Sequence, residues 1–224
     1  MPTVVLLRHG RTTANATGML AGQIKGVQLD EHGLHQARAV GERLAQVPLR
    51  AIVTSPLERT RATAQAVATA RRRPMALTND ADFIECDYGT WSGKKLSSLA
   101  AKPLWRQVQL HPSAVTFPNG ESMVAMQHRA VSGIRAWNDA VGERGVYLVV
   151  THGDVIKSIL ADALGMHLDN FQRINVDPGS ISVISYTELR PFVVKVNDTG
   201  EDVSYLRPKK RTRSSDAVVG GGRG

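Results

Sequence analysis

The apolar positions of the chain follow two different periods, and segments of the two kinds alternate. Short apolar runs rich in β-branched residues and bounded by polar, Gly or Pro positions are typical of strands. Six such runs predict strands at Thr3–Leu7, Ala51–Ser55, Met75–Asn79, Val146–Thr151, Ser180–Tyr186 and Phe192–Val196. Four longer segments have helical spacing, at Glu31–Gln46, Leu57–Arg71, Glu121–Val141 and Asp154–Leu164. Strands that alternate with helices require crossover connections, so we predict an α/β fold with three α/β/α layers and a mostly parallel central sheet with helices on both faces.

One segment, from about Asp87 to Gly120, fits this alternation poorly. It contains three prolines and several bulky aromatic residues, which interrupt both the helical and the strand period. We predict that it is an inserted segment with one or two short helices that caps the functional site. A peripheral packing element is the alternative that the sequence leaves open.

Length and composition favour a single folded domain. The chain has 224 residues, 42% of them hydrophobic, which is enough to bury a stable core without disulfide cross-links. The lone cysteine, Cys86, excludes an internal disulfide and agrees with a reducing compartment, so we expect a cytoplasmic protein. No apolar run approaches the roughly 20 residues of a membrane span, and the N-terminus lacks the pattern of a signal peptide, so we expect no membrane partner.

The net charge of +8 is concentrated at the C-terminal end. Six basic residues and Asp216 give residues 207–224 a net charge of +5, which leaves +3 for residues 1–206. We predict one domain over residues 1–206 and a disordered, basic, Ser/Gly-rich tail over residues 207–224. A mildly basic domain suits a small anionic substrate, and nucleic acid is an unlikely partner. Binding of a polyanion by the tail is the weaker alternative to a solvated extension.

The chemistry-bearing residues lie where predicted strands end. Arg8 and His9 directly follow the first strand, and Gly10 then permits a tight turn before a helical segment that contains Asn15. In a parallel α/β sheet ligands bind at the carboxyl ends of the strands, and the next helix offers free N–H groups to an anion. This strand end is therefore a candidate anion site.

Two further strand ends carry residues of the same kind. His152-Gly153 follows the strand Val146–Thr151, and the segment Ser55–Arg61 follows the second predicted strand. A single His or Arg at such a place is more often structural or solvated than functional. Three cationic or imidazole sites at topologically equivalent places predict a common site for an anion.

Together these motifs resemble a known family. Leu-Arg-His-Gly-Arg-Thr at residues 7–12, Ser-Pro-Leu-Glu-Arg-Thr at residues 55–60 and Thr-His-Gly at residues 151–153 are similar to motifs of the histidine phosphatase superfamily, in the branch typified by cofactor-dependent phosphoglycerate mutase. The resemblance spans roughly residues 3–185. It implies a catalytic domain that transfers a phosphoryl group of a small phosphorylated metabolite through a phosphohistidine at His9. The substrate-binding residues that we expect are Arg8, Asn15, Gly22, Arg59, His152 and Gly153.

A second pair of motifs resembles the acid region of the same family. Glu85 precedes an aromatic-Gly-x-aromatic-x-Gly stretch that ends at Gly93, and the resemblance makes Glu85 the proton donor. Asp82 and Asp87 are the neighbouring alternatives. Residues 118–122 resemble the Pro-Gly-Gly-Glu-Ser stretch of the phosphatase members, with Asn119 at one Gly position. A plain helix start, with Asn119 or Ser122 as its cap, is the other interpretation.

These residue types suit attack on phosphorus without a metal. A neutral imidazole can approach a phosphate dianion without repulsion, and family members orient it by a hydrogen bond from its other nitrogen to a backbone carbonyl. Arg8 and Arg59 match two phosphate oxygens with planar forks, and His152 adds a donor that could be protonated. Two His beside two Arg would repel a cation, so we expect no metal and no cofactor, with His9, Glu85, His152, Arg8 and Arg59 as the catalytic residues.

The reaction class depends on residues that the chain lacks. Phosphoglycerate mutases carry adjacent arginines after the acid motif, whereas residues 94–121 here offer only isolated basic residues and a Lys pair. The mutases also place Asn two residues after the second motif histidine, where this chain has Asp154. Both departures favour a phosphatase, with mutase-type phosphoryl transfer as the alternative. The sequence leaves open whether the protein forms a homo-oligomer.

Overall fold

The structure is a computed structural model that describes residues 1–200 and, further on, the backbone of Ala217–Val218 and Gly222–Arg223. These two short strands, β7 and β8, pair antiparallel with each other. The remainder of the predicted disordered tail, residues 207–224, lies outside the described residues. Among the helices that are described, none is long and apolar enough to cross a membrane.

A six-stranded sheet forms the centre of the fold. Its strands are β1 (Thr3–Arg8), β2 (Leu49–Thr54), β3 (Leu77–Asn79), β4 (Val146–Thr151), β5 (Ile181–Tyr186) and β6 (Pro191–Asp198). Their order is β3-β2-β4-β1-β5-β6. The first four run parallel, whereas β5 and β6 are antiparallel to their neighbours. The predicted α/β class with a mostly parallel sheet is confirmed.

Within residues 1–200, seven α-helices surround or connect these strands. They are α1 (Thr13–Ala16), α2 (Glu31–Leu44), α3 (Glu58–Ala70), α4 (Leu96–Leu99), α5 (Pro103–Leu110), α6 (Met123–Val141) and α7 (Gly153–Ala163). Ser122 caps α6, since its hydroxyl accepts a hydrogen bond from the Ala125 N–H at 3.1 Å. This contact decides between the two caps that the sequence left open.

Two apolar clusters cover the two faces of the sheet. Successive side chains of a strand point to opposite faces, so Val4 and Leu6 of β1 pack with α6 and α7, whereas Val5 and Leu7 pack with α2 and α3. Because both faces are covered, the central strands are continuous apolar runs. This arrangement makes the predicted three layers.

The inserted segment, residues 87–120, contributes α4, α5 and short 3₁₀ turns. Trp91, Leu99 and Phe117 are buried in the same apolar cluster as α6 and α7, so much of the segment is a packing element. Its first part also borders the loop that follows α1, where the Leu20 N–H donates to the Lys94 carbonyl. The buried aromatic residues agree with the packing interpretation, and capping of the functional site stays a prediction.

The strand register brings the three sequence motifs together. β1, β4 and β2 are adjacent, with Arg8 opposite Thr151 and Thr54 opposite Val150. The residues that follow these strands therefore meet at one edge of the sheet. The packing of parallel strands, rather than any local preference, assembles the site.

Candidate active site

His9 lies buried immediately after β1. Its Nδ1 donates to the Gly10 carbonyl at 2.7 Å, since a carbonyl can only accept, and this leaves a lone pair on Nε2. Burial and the charges of Arg59 and Arg8 lower the pKa of His9 well below its usual value. The imidazole is therefore neutral, with a fixed tautomer. Gly10 is required for this turn, because a Cβ there would lie 2.4 Å from the Gly33 carbonyl oxygen.

Two buried guanidinium groups flank His9. Arg8 Nη1 donates to the Val176 carbonyl at 2.6 Å, and Arg59 Nη2 donates to the Gly22 carbonyl at 2.7 Å. Arg59 Nη1 is buried without a hydrogen-bond partner among the described residues. A buried donor of this kind is suited to an anionic ligand. Gly22 has a φ of +53°, and a Cβ there would lie 2.6 Å from Ser92 Oγ, so the turn that receives Arg59 needs glycine.

His152 precedes the first residue of α7, Gly153. Its ring is fully buried, 5.3 Å between centroids from that of His9. Nε2 is hydrogen-bonded to Ser55 Oγ at 2.8 Å, whereas Nδ1 has no hydrogen-bond partner among the described residues. Burial, followed by the charge of Arg59, lowers the pKa of His152 well below its usual value. His152 is therefore neutral when no substrate is bound. The N–H of Gly153 belongs to the first turn of α7, where backbone N–H groups have no acceptor within the helix.

Asn15 lies on α1 and is exposed. Its Oδ1 accepts hydrogen bonds from the Thr12 N–H at 3.0 Å and from Thr12 Oγ1 at 2.8 Å, which completes a capping box. The described contacts join Asn15 to Thr12 rather than to the histidines. Its side-chain NH₂ is the part that stays available for a ligand.

Glu85 places a carboxyl group beside His152. It is 5% exposed, its Oε1 accepts from the Cys86 N–H at 3.0 Å, and its Oε2 lies 3.9 Å from His152 Nδ1. Burial, followed by the negative charge of Asp154, raises the pKa of Glu85 to about 7 against the opposing effect of Arg59. A carboxyl group with this pKa can carry a proton near neutral pH.

The two alternative acids are engaged elsewhere. Asp87 Oδ1 accepts from the Gly89 N–H at 2.9 Å. Asp82 lies against α6, where a Cβ on Gly133 would be 2.9 Å from its Cβ. Within the described part of the chain, neither carboxylate forms a hydrogen bond or an ion pair with His9 or His152, whereas Glu85 lies 3.9 Å from His152, so the arrangement favours Glu85.

Ser55, Tyr88 and Asp154 also belong to the buried site, although we did not predict them as site residues. Asp154 is completely buried on α7, and its Oδ2 accepts from the Tyr88 hydroxyl at 2.7 Å. Its charge favours a protonated Glu85 and supports the positive charge of Arg8. The position of Ser55 at the end of β2 was a signal for its proximity to His152. Nothing local indicated the burial of Asp154.

The family model of the histidine phosphatase superfamily, branch 1, matches residues 4–199 of this chain. The chain belongs to this family. The predicted family is therefore confirmed, and the protein is a histidine phosphatase superfamily enzyme. In this histidine phosphatase, Arg8 ends β1 and His9 follows it, His152 follows β4, and Arg59 lies in the first turn of α3, which follows β2.

Relatives of this histidine phosphatase carry names from both reaction classes. Phosphoserine phosphatase 1 of Hydrogenobacter thermophilus is 30% identical over 206 residues, which cover 89% of this chain and 93% of the relative. The protein named probable phosphoglycerate mutase GpmB from Erwinia tasmaniensis is 31% identical over 210 residues, which cover 92% of this chain and 95% of the relative. Among solved structures, Bacillus stearothermophilus YhfR matches with a TM-score of 0.81 and 28% identity, over 88% of this chain and 98% of that one.

Proposed function

We propose that this enzyme is a cytoplasmic, metal-independent phosphatase that hydrolyses a small phosphate monoester through a phosphohistidine at His9. The observation that carries the proposal is the neutral His9, with its tautomer fixed by Gly10, between two buried arginines. The relative from Hydrogenobacter thermophilus, named as a phosphoserine phosphatase, supports hydrolysis of a phosphorylated metabolite. The lone, buried Cys86 agrees with a reducing compartment.

In the first step, the lone pair of His9 Nε2 attacks phosphorus. The bond from phosphorus to the ester oxygen breaks, and Glu85 donates its proton to the departing alkoxide. Arg8, Arg59 and His152 stabilise the negative charge of the equatorial oxygens. The unpartnered Nη1 of Arg59 provides a donor for one of these oxygens without first breaking a protein hydrogen bond.

In the second step, water attacks the phosphohistidine. The carboxylate of Glu85, left without its proton by the first step, accepts a proton from that water. Phosphate leaves, and the neutral imidazole and the protonated carboxyl are restored. A pKa of about 7 suits both roles, because the two protonation states of Glu85 are then close in free energy near neutral pH.

Asp154 favours hydrolysis over mutase chemistry. It is a buried carboxylate beside Glu85 and Arg8, where it disfavours the second anionic group that a phosphoglycerate mutase must hold. The relative named as a probable mutase keeps mutase-type phosphoryl transfer as the alternative.

A substrate panel separates the two reactions. We expect phosphate release from at least one phosphorylated metabolite, such as a sugar phosphate or phosphoserine, to exceed the interconversion of 3-phosphoglycerate and 2-phosphoglycerate in the presence of 2,3-bisphosphoglycerate. Phosphate release is measured colorimetrically and isomer conversion by ³¹P NMR on the same preparation. Mutase turnover faster than every hydrolysis would contradict the proposal.

Activity is expected to survive exhaustive chelation. The cationic groups of Arg8 and Arg59 perform the charge neutralisation that Mg²⁺ supplies in other phosphoryl-transfer enzymes. The described residues also contain no group of three or more His, Cys, Asp or Glu side chains placed to hold a metal ion. The measurement is kcat/KM before and after treatment with EDTA, followed by readdition of Mg²⁺ or Zn²⁺. Loss on chelation that metal restores would refute metal independence.

A further inference from the structure

The stretch Pro118–Ser122, which the sequence offered as a family motif or a plain helix start, holds an ion pair with α6. Arg129 Nη2 lies 2.6 Å from Glu121 Oε1, and Arg129 Nε lies 3.1 Å from Glu121 Oε2. Both side chains are largely shielded, with exposed fractions of 20% and 19%. Paired, parallel contacts of this kind fix the orientation of both groups.

The same guanidinium also binds the backbone on which Glu85 lies. Arg129 Nη1 donates to the carbonyls of Asp82 at 2.8 Å and of Ile84 at 2.7 Å, and Nη2 lies 3.3 Å from the carbonyl of Glu85 itself. On the other side of Glu85, Glu121 Oε1 accepts from the Asp87 N–H at 2.9 Å. The Arg129–Glu121 pair therefore holds the chain both before and after Glu85.

Backbone contacts join the two motifs directly. The Glu121 N–H donates to the Asp87 carbonyl at 2.9 Å, and a Cβ on Gly120 would lie 2.2 Å from that same oxygen. Asn119, the departure from the family's glycine, has a φ of +58°, a conformation that Asn tolerates better than most residues. The substitution therefore preserves the turn that brings Glu121 to Asp87.

We propose that Arg129 and Glu121 are positioning residues that hold the carboxyl of Glu85 in place to protonate the leaving group. The proposal rests on the proposed function. Residues 84–88 belong to no helix or strand, whereas His9 directly follows β1 and His152 lies between β4 and α7. Side-chain contacts must therefore supply the rigidity that adjoining regular structure gives to the two histidines. A proton donor needs a heavy-atom placement within a fraction of an ångström. The Arg129 fork restrains the backbone at Glu85 and just before it, through the carbonyls of Asp82, Ile84 and Glu85.

The test replaces Arg129 with Lys, which keeps the charge and removes the fork. Arg135→Lys is the matched control, since Arg135 is an exposed residue of the same helix. We expect Arg129→Lys to lower kcat/KM for an alkyl phosphate by about a hundredfold, and for p-nitrophenyl phosphate by less than about tenfold. The second leaving group departs without a proton, so it is insensitive to the position of the acid. The control is expected to match the wild type with both substrates.

A second readout does not depend on turnover. Titration of Glu85 by ¹³C NMR is expected to give a pKa of about 7 in the wild type and a lower value in Arg129→Lys, because a released segment lets water reach the carboxyl. The alkaline limb of kcat/KM should move to lower pH in parallel. Glu121→Gln keeps an acceptor for the Asp87 N–H. It is expected to lower the pKa of Glu85 and move the alkaline limb to lower pH by smaller amounts than Arg129→Lys does. It replaces Arg129→Lys as the test if that variant does not fold.

The outcomes separate this proposal from the proposed function. Equal losses for the two substrates, or a lower melting temperature with an unchanged Glu85 pKa, would show that Arg129 is only structural and overturn the positioning role. A wild type that hydrolyses no monoester and forms no phosphohistidine would instead refute the phosphatase proposal, and the Glu85 titration would still decide whether Arg129 controls that carboxyl.

Discussion

Replacing His9 with alanine is expected to abolish hydrolysis of every phosphate monoester. Nε2 of His9 forms the bond to phosphorus, so the remaining arginines and His152 can stabilise charge but have no group to receive the phosphoryl. We expect kcat/KM to fall by about 10⁵-fold or more, which corresponds to about 7 kcal/mol of lost transition-state stabilisation. The measurement is phosphate release from alkyl and aryl phosphates, together with detection of acid-labile phosphoprotein after rapid quenching.

His128→Ala is the matched control for this loss. His128 is exposed on α6, so its removal is expected to leave kcat/KM unchanged. Circular dichroism of both variants checks that they fold. An acid-labile phosphoprotein in His9→Ala, or similar loss in the control, would assign the nucleophile to a different residue.

Replacing Glu85 with Gln is expected to separate substrates by their leaving groups. General acid catalysis is worth about 10²–10⁴-fold, or roughly 3–5 kcal/mol, and an alkoxide requires the proton whereas a nitrophenolate does not. We therefore expect a loss of that size in kcat/KM for a sugar phosphate and a much smaller one for p-nitrophenyl phosphate. Because kcat/KM reports the steps through the first phosphoryl transfer, the second role of Glu85 does not obscure the comparison.

The pH dependence of kcat/KM provides an independent test of the role of Glu85. The proton donor is active only when protonated, and its pKa is raised to about 7. For an alkyl phosphate, kcat/KM is therefore expected to be lost as pH rises through about 7, and Glu85→Gln should lack this alkaline limb. His9 stays neutral across this range, because its pKa is lowered well below the usual value.

Controls and a trapped intermediate complete the experiment. Asp82→Asn and Asp87→Asn, at the two alternative acids, are expected to retain the wild-type ratio between the two substrates. A phosphohistidine should accumulate in Glu85→Gln, because the same carboxylate activates water in the second step. Equal losses for both leaving groups in Glu85→Gln, or a selective loss in one control, would remove Glu85 from the acid role.

The sequence alone determined the elements and the residues at the strand ends. Apolar periodicity is a local property, and the predicted strands and helices agree with the structure to within a few residues, as with Met75–Asn79 for a strand that begins at Leu77. The meeting of His9, Arg59 and His152 was also predictable, because parallel strands place their carboxyl ends at one edge of the sheet. The family motifs added Glu85, which no periodicity could have identified.

Only the tertiary structure decided how these residues are held and charged. The antiparallel pairing of β5 and β6, the contact of Ser55 with His152 and the hydrogen bond from Tyr88 to Asp154 join residues that the sequence pattern does not relate. The raised pKa of Glu85 arises from burial and from the charge of Asp154, which lies on a different element. Burial and through-space charge depend on distances between parts of the chain far apart in sequence, and folding alone sets those distances.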